Sequence, residues 1–252
     1  SLRWLMAGWP ILPPEAWSPW QRQRPRTDRM SGLRHAGIIL ALTALWACLQ
    51  PAFAGEKSVA APAAAVRSDE AGTRAAAIFA GGCFWGVEGV LSHVPGVSSV
   101  VSGYHGGSAE SATYARVSDG DTGHAEAVYV VYDPKVVRYD ELLRILFSVV
   151  TDPTSLDSQG PDHGSQYRSA LVPLSADQRK VAAAYLAQLD KSGVWGAASV
   201  TRSETFRRFY PAEKYHQDFM AANPRHPYIL RWDAPKVAAL ERLYPDHYRR
   251  GF

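Results

Sequence analysis

Cysteine is nearly missing from this 252-residue chain, which holds only Cys48 and Cys83. That scarcity excludes a disulfide framework and any site built on a Cys-x-x-Cys pair. A run of full membrane-spanning length is missing at the N-terminus as well: the apolar stretch from Ala36 to Leu49 is 14 residues long, short of the roughly 17–25 that cross a bilayer, which leaves a membrane anchor as the weaker alternative to a cleaved signal. No internal repeat is visible, which excludes a solenoid or propeller. A true excess of positive charge is also absent. The formal charge is +3, but residues 1–54 carry six arginines against Glu15 and Asp28, a balance of +4, so residues 55–252 stand at −1. The basic pI therefore belongs to the leader and argues for no nucleic-acid partner.

What is present begins with that leader. Residues 1–29 mix Pro, Trp and Arg without a usable period and read as a non-native segment upstream of the true start. From Met30 the pattern changes to that of a cleaved signal peptide over residues 30–54. Arg34 and His35 form a short basic region, the apolar run follows, and Ala52-Phe53-Ala54 is a small-x-small cleavage site before Gly55. The bulky Trp46 argues against acylation of Cys48. The expectation is an exported protein of the bacterial periplasm, with no stable membrane insertion after cleavage and with Cys83 as its one remaining thiol. Residues 55–74, rich in Ala, Pro and Val, read as a flexible linker. Residues 75–252 then form a single domain, expected to be monomeric.

Within that domain Ala75 to Ala80 predicts a strand. Phe84, Val87, Leu91 and Val94 recur at helical spacing, so a helix starts at or just after Cys83 and stops at Pro95-Gly96. Val97 to Tyr104 and His124 to Tyr132 predict strands, the second apolar on both faces and hence central. A helix is expected at Tyr139–Val150 and a strand at Ser169–Leu174. Another helix opens on the Ser175-Ala176-Asp177-Gln178 capping signature and closes at Gly193. The last helix is expected at Ala212–Ala221. This order predicts an α+β layered fold rather than strict βαβ alternation.

Three stretches carry chemistry. Gly81-Gly82-Cys83-Phe84-Trp85-Gly86 puts a thiol at a helix start, where free N–H groups and the helix dipole are expected to lower its pKa. The glycines admit another molecule, and one of the adjacent aromatics should line its approach. Glu126 in Gly123-His124-Ala125-Glu126-Ala127 shares strand parity with Val128, Val130 and Tyr132, so its carboxyl should hold a proton near neutrality. The loop Asp162-His163-Gly164-Ser165-Gln166-Tyr167-Arg168 offers a phenol, as does Tyr114. Read singly, a buried structural cysteine, a structural salt bridge at Glu126, a turn histidine at His124 and packed tyrosines remain alternatives.

Taken together, these stretches resemble the A-type peptide-methionine sulfoxide reductases over residues 75–228, including Ala212-Glu213-Lys214-Tyr215-His216-Gln217. The resemblance implies a two-layer α/β sandwich with a mixed central sheet, reduction of methionine-S-sulfoxide, free or in proteins, and no metal or organic cofactor. It implies Cys83 as nucleophile and Glu126 as proton donor, Tyr114 and Tyr167 as donors to the sulfoxide oxygen, and Asp162 as a supporting polar group. Phe84 and Trp85 would cradle the substrate methyl. The resulting sulfenic acid would need an external thiol, such as a thioredoxin-like protein. Two departures stand out. Ser111-Ala112 replaces the Asn-Pro of many relatives and predicts a looser turn before Tyr114, and no cysteine follows Cys83. Two other enzyme readings compete. A hydrolase or acyltransferase would pair Cys83 with His124 or His163. A zinc enzyme would use His124-Ala125-Glu126, but the Cys-x-x-Cys it needs is missing. A non-catalytic aromatic binding module finds little support, since five of the eight tryptophans precede residue 54.

Overall fold

The structure, a computed structural model, describes residues 58–251. The expected signal segment, the stretch before it and Cys48 lie outside the described residues. Along the described chain run β1 (Ala75–Gly81), α1 (Phe84–Ser92), β2 (Val97–His105), α2 (Tyr114–Val117), β3 (Ala125–Tyr132) and α3 (Tyr139–Ile145). They are followed by β4 (Ser158–Gln159), β5 (Asp162–His163), β6 (Ser169–Val172), α4 (Ala176–Ser192), β7 (Arg202–Ser203), β8 (Phe209–Pro211), α5 (Phe219–Ala222) and α6 (Ala234–Leu243).

Six strands form one mixed sheet in the order β7-β6-β1-β3-β2-β8. Its pairs are antiparallel except β6 with β7. Side chains alternate across a strand, and the two faces differ in bulk. Phe79, Val128, Val130, Tyr132 and Leu171 face the main core, which the helices cover with Val87, Leu91, Leu142, Leu143, Val181, Tyr185 and Leu240. The opposite face carries mainly small residues, Ala80, Ala125, Ala127 and Ala170, under Phe209 and Leu174. This is the expected two-layer arrangement. Burial of each large apolar side chain contributes about 1.5–3 kcal/mol.

Local signals set the element ends. Ser175 Oγ accepts the Gln178 N–H at 3.0 Å, and Gly193 closes α4 with φ +66°. The helix expected at Tyr139–Val150 is α only to Ile145 and finishes as a π turn over Leu146–Val150.

Two expectations are corrected. The single helix expected over Ala212–Ala221 is instead a 3-10 turn, Lys214–His216, followed by the short α5. Asp218 between them sits in the left-handed region at φ +53°, and Gln217 directs its amide to Ser102 N and O. Residues 58–74, expected to be a flexible linker, lie pinned on the helical layer from Ser58 onward. Val59 N and Ala61 N donate to Ser148, Arg144 Nε donates to Ala61 O, Ser68 bonds Asp140, and Gln178 Nε2 donates to Glu70.

Candidate active site

Gly82, with φ +92°, turns β1 into α1, and a Cβ there would come within 2.6 Å of Gln159 Cβ. The turn leaves Cys83 as the N-cap of α1. Among the described residues it is the one free cysteine, and 9% of its surface is exposed. Tyr104 on β2 pairs with Glu126 on β3, which brings the buried Glu126 carboxyl under the start of α1. Its Oε2 accepts the Phe84 N–H at 3.0 Å.

Burial pushes the Glu126 carboxyl up to about 8; the Phe84 N–H pulls it down, and the Asp162 and Asp233 charges push it further up. The thiol departs from the expectation of a lowered pKa and is held well above its ordinary value. Burial raises it first, then the Glu126 and Asp233 carboxyls; the Trp85 N–H lowers it but is outweighed, and Asp162 adds to the rise. A helix start favours a thiolate, but removal from water and the negative groups around this one win.

Two phenols face the same space. Burial raises the pKa of Tyr114 and Tyr167, and the charges of Glu126 and Cys83 raise both further. Each phenol therefore keeps its proton and can donate it in a hydrogen bond. Tyr114 opens α2, its N–H held by Glu213 Oε1 at 2.8 Å, while Glu213 Oε2 accepts from Tyr104 Oη at 2.8 Å. This clamp holds the segment after Ser111-Ala112 that was expected to be loose. Asp162 on β5 accepts a hydrogen bond from Tyr228 Oη.

Of the adjacent aromatics, Phe84 is buried, tilted against Tyr104 and His216 at 5.9 and 5.0 Å. Trp85 is half-buried. Its indole stacks on Phe219 at 3.8 Å, meets Tyr228 edge-on at 5.8 Å, and donates from Nε1 to His216 Nδ1 at 3.1 Å. Burial lowers the His216 pKa, which keeps the ring neutral and able to accept.

Sequence reasoning assigned no role to Tyr228, Asp233 or His216. Asp233 is fully buried, and a Cβ on Gly86 of α1 would collide with its carboxylate. His216 lay within the segment carrying the family resemblance, so a signal for it existed. Tyr228 and Asp233 reach the site by the return of the chain, which no local pattern records. His124 is turned to structure: Nδ1 accepts from Gly107 N at 3.2 Å and Nε2 donates to Ser108 O at 2.9 Å. Both nitrogens are committed, so His124 is no base for Cys83. His163 is exposed. Among the described residues no cluster of His, Cys, Asp and Glu could hold a metal ion.

A buried thiol facing a protonated carboxyl and two phenols is suited to an acceptor whose oxygen must be protonated as its central atom is attacked. Comparison with known proteins agrees with that chemistry. Residues 75–247 match the family model for peptide methionine sulfoxide reductase. A peptide methionine sulfoxide reductase MsrA 2 of Mesorhizobium japonicum is 54% identical over 172 residues, covering 68% of this chain and 88% of the relative. One from Synechocystis is 51% identical over 170 residues, covering 68% and 79%. Among solved structures, reduced Mxr1 of Saccharomyces cerevisiae superposes with a TM-score of 0.55 at 33% identity, covering 64% of this chain and 92% of that one. Methionine sulfoxide reductase A of Corynebacterium diphtheriae gives 0.52 at 28% identity, covering 70% and 93%.

Proposed function

The chain belongs to the peptide methionine sulfoxide reductase family, and from that premise we propose how its own residues carry out the thiol-dependent reduction. Cys83 attacks the sulfoxide sulfur while Glu126 passes its proton to the oxygen, with the Tyr114 and Tyr167 hydroxyls donating to the same oxygen. The attack joins the two sulfurs; that bond and the S–O bond of the substrate then break as the hydroxyl passes to the Cys83 sulfur. The thiol proton replaces the one that Glu126 gave. Methionine leaves, its sulfur reduced by two electrons, and Cys83 is left as a sulfenic acid. The single observation that carries this reading is the buried Glu126 carboxyl, held by the Phe84 N–H at 3.0 Å next to the Cys83 N-cap. Trp85 receives the methyl group against the inner wall made by Phe84, and Asp162, held by Tyr228, supports the polar side.

Two external thiols return the sulfenic acid to thiol, forming one disulfide and releasing water. The chain offers no cysteine after Cys83 for that step, so the reductant is an outside molecule, a thioredoxin-like protein or a small thiol. We place the enzyme in an exported compartment, where it repairs oxidised proteins, on the signal pattern of residues 30–54. The test is a reaction with methionine-S-sulfoxide and every external thiol removed. About one methionine per enzyme is expected, with one added oxygen on Cys83 that a sulfenic-acid reagent traps. Addition of dithiothreitol should restore turnover. Multiple turnovers without thiol would exclude the scheme, as would an internal disulfide.

A further inference from the structure

The residues around Tyr167 spend their side chains on the turn that leads into β3. Ser165 Oγ donates to Gly120 O at 2.8 Å, Gln166 Nε2 to Ser118 O at 3.3 Å, and Arg168 Nη2 to Gly123 O at 3.1 Å. Arg168 does most of the joining. It is 5% exposed, and its Nη1 also donates to Ser165 O at 2.9 Å. Its guanidinium is oriented by Glu204, which accepts from Nε at 2.7 Å and from Nη2 at 3.3 Å. His105 Nδ1 lies 3.3 Å from the same carboxylate. Burial alone would raise the Glu204 carboxyl, but the nearby His105 and the bonds from Arg168 bring it down to about 2, so it is ionised. Gly106 makes room for the guanidinium: a Cβ there would stand 2.9 Å from Nη2.

One planar group thus ties the loop that carries Tyr167 to the carbonyl three residues before Glu126. A planar fork can hold two carbonyls and a carboxylate in fixed directions, which a lysine ammonium cannot. We propose that Arg168, oriented by Glu204, is a positioning residue that sets the Tyr167 hydroxyl against the Glu126 carboxyl, so that both reach one sulfoxide oxygen. This inference rests on the donor role of Tyr167 in the proposed function.

A group that merely held the fold together would act regardless of the Tyr167 hydroxyl, so a double-mutant cycle separates the two roles. Arg168→Lys keeps a positive charge opposite Glu204 and gives up the fork. Its kcat for a methionine sulfoxide peptide should fall about 10–100-fold, the cost of a small misplacement of a reacting group, with KM nearly unchanged. Combined with Tyr167→Phe it should run scarcely slower than Tyr167→Phe alone, because the hydroxyl it positions is gone. Losses that multiply in the double variant would overturn the proposal, and so would wild-type kcat in Arg168→Lys. If Arg168→Lys does not fold, Glu204→Gln enters the same cycle: a smaller loss absorbed by Tyr167→Phe supports the proposal, and a multiplied or absent one overturns it. Wild-type kcat in Tyr167→Phe alone would remove the donor role itself, and with it this inference. Only that failure leaves the single tyrosine variant fully active, so the two are told apart.

Discussion

Burial acts on Cys83 and Glu126 in the same direction, favouring the protonated form of each, and the pocket is therefore charged with protons before substrate arrives. An acid near 8 donates below that pH and is spent above it, so kcat/KM should fall as pH rises through about 8. In Glu126→Gln the rate should drop by about 10²–10⁴-fold and the fall above 8 should disappear from the pH profile. An unchanged rate, or an unchanged alkaline limb, would remove Glu126 from the mechanism. Tyr114→Phe and Tyr167→Phe should each cost less than Glu126→Gln, and together more than either, since both hydroxyls address one oxygen. The placement of Cys83, Glu126, Tyr114, Asp162 and Tyr167 near one another was legible because each sits in a contiguous motif or on a strand of readable parity; their roles belong to the proposal. The proton affinity of Cys83 was misread for a physical reason. The helix start is local and visible, whereas the burial that raises the thiol first, and the carboxyls of Glu126 and Asp233 after it, are set by distant segments.

Among the elements, the stretch over residues 58–74 is as much a part of the domain as any helix, although it has no regular structure. Composition hid this, because an Ala/Pro segment has no period, and its bonds are made by its backbone to Ser148, Arg144 and Gln188 on α3, the following π turn and α4. Tyr185 Oη adds a bond to Pro62 O at 2.8 Å. Removal of residues 58–70 would take these partners from Ser148 and Asp140, which keep Arg144, Tyr244 and Arg138, and would strip the buried Ala61 from the helical layer, at about 0.5–1.5 kcal/mol for each hydrogen bond lost. The expected result is a clear drop in melting temperature by calorimetry, with Cys83 chemistry intact in the molecules still folded. An unchanged melting temperature would return the segment to the status of a tether. The helix ends at Ser175 and Gly193 were legible because caps are local. The break at Asp218 was not, because it follows from where Gln217 and Glu213 must reach.

For the molecule as a whole, the proposal of export gives a direct check. If Met30 starts the native protein and the bond after Ala54 is cut, the enzyme recovered from an exported fraction should begin at Gly55, and Edman or mass-spectrometric sequencing would read it. A recovered chain that retains Cys48 would overturn the soluble, exported assignment. The α+β order of strands and helices was legible from apolar period and turn signals, and the two layers from the family resemblance; strand order was not, because pairing is decided across the sheet. The burial of Cys83, with 9% of the residue in contact with solvent, has a consequence for the oxidised enzyme. A sulfur on so buried a residue is hard to approach, and exchange depends on access as well as on the attacking thiol's acidity. Reductants are thereby ranked by the slenderness of the arm that carries their sulfur: a thiol on a protruding tip reaches the oxidised Cys83, while an equally strong one set flush in a broad surface is kept out.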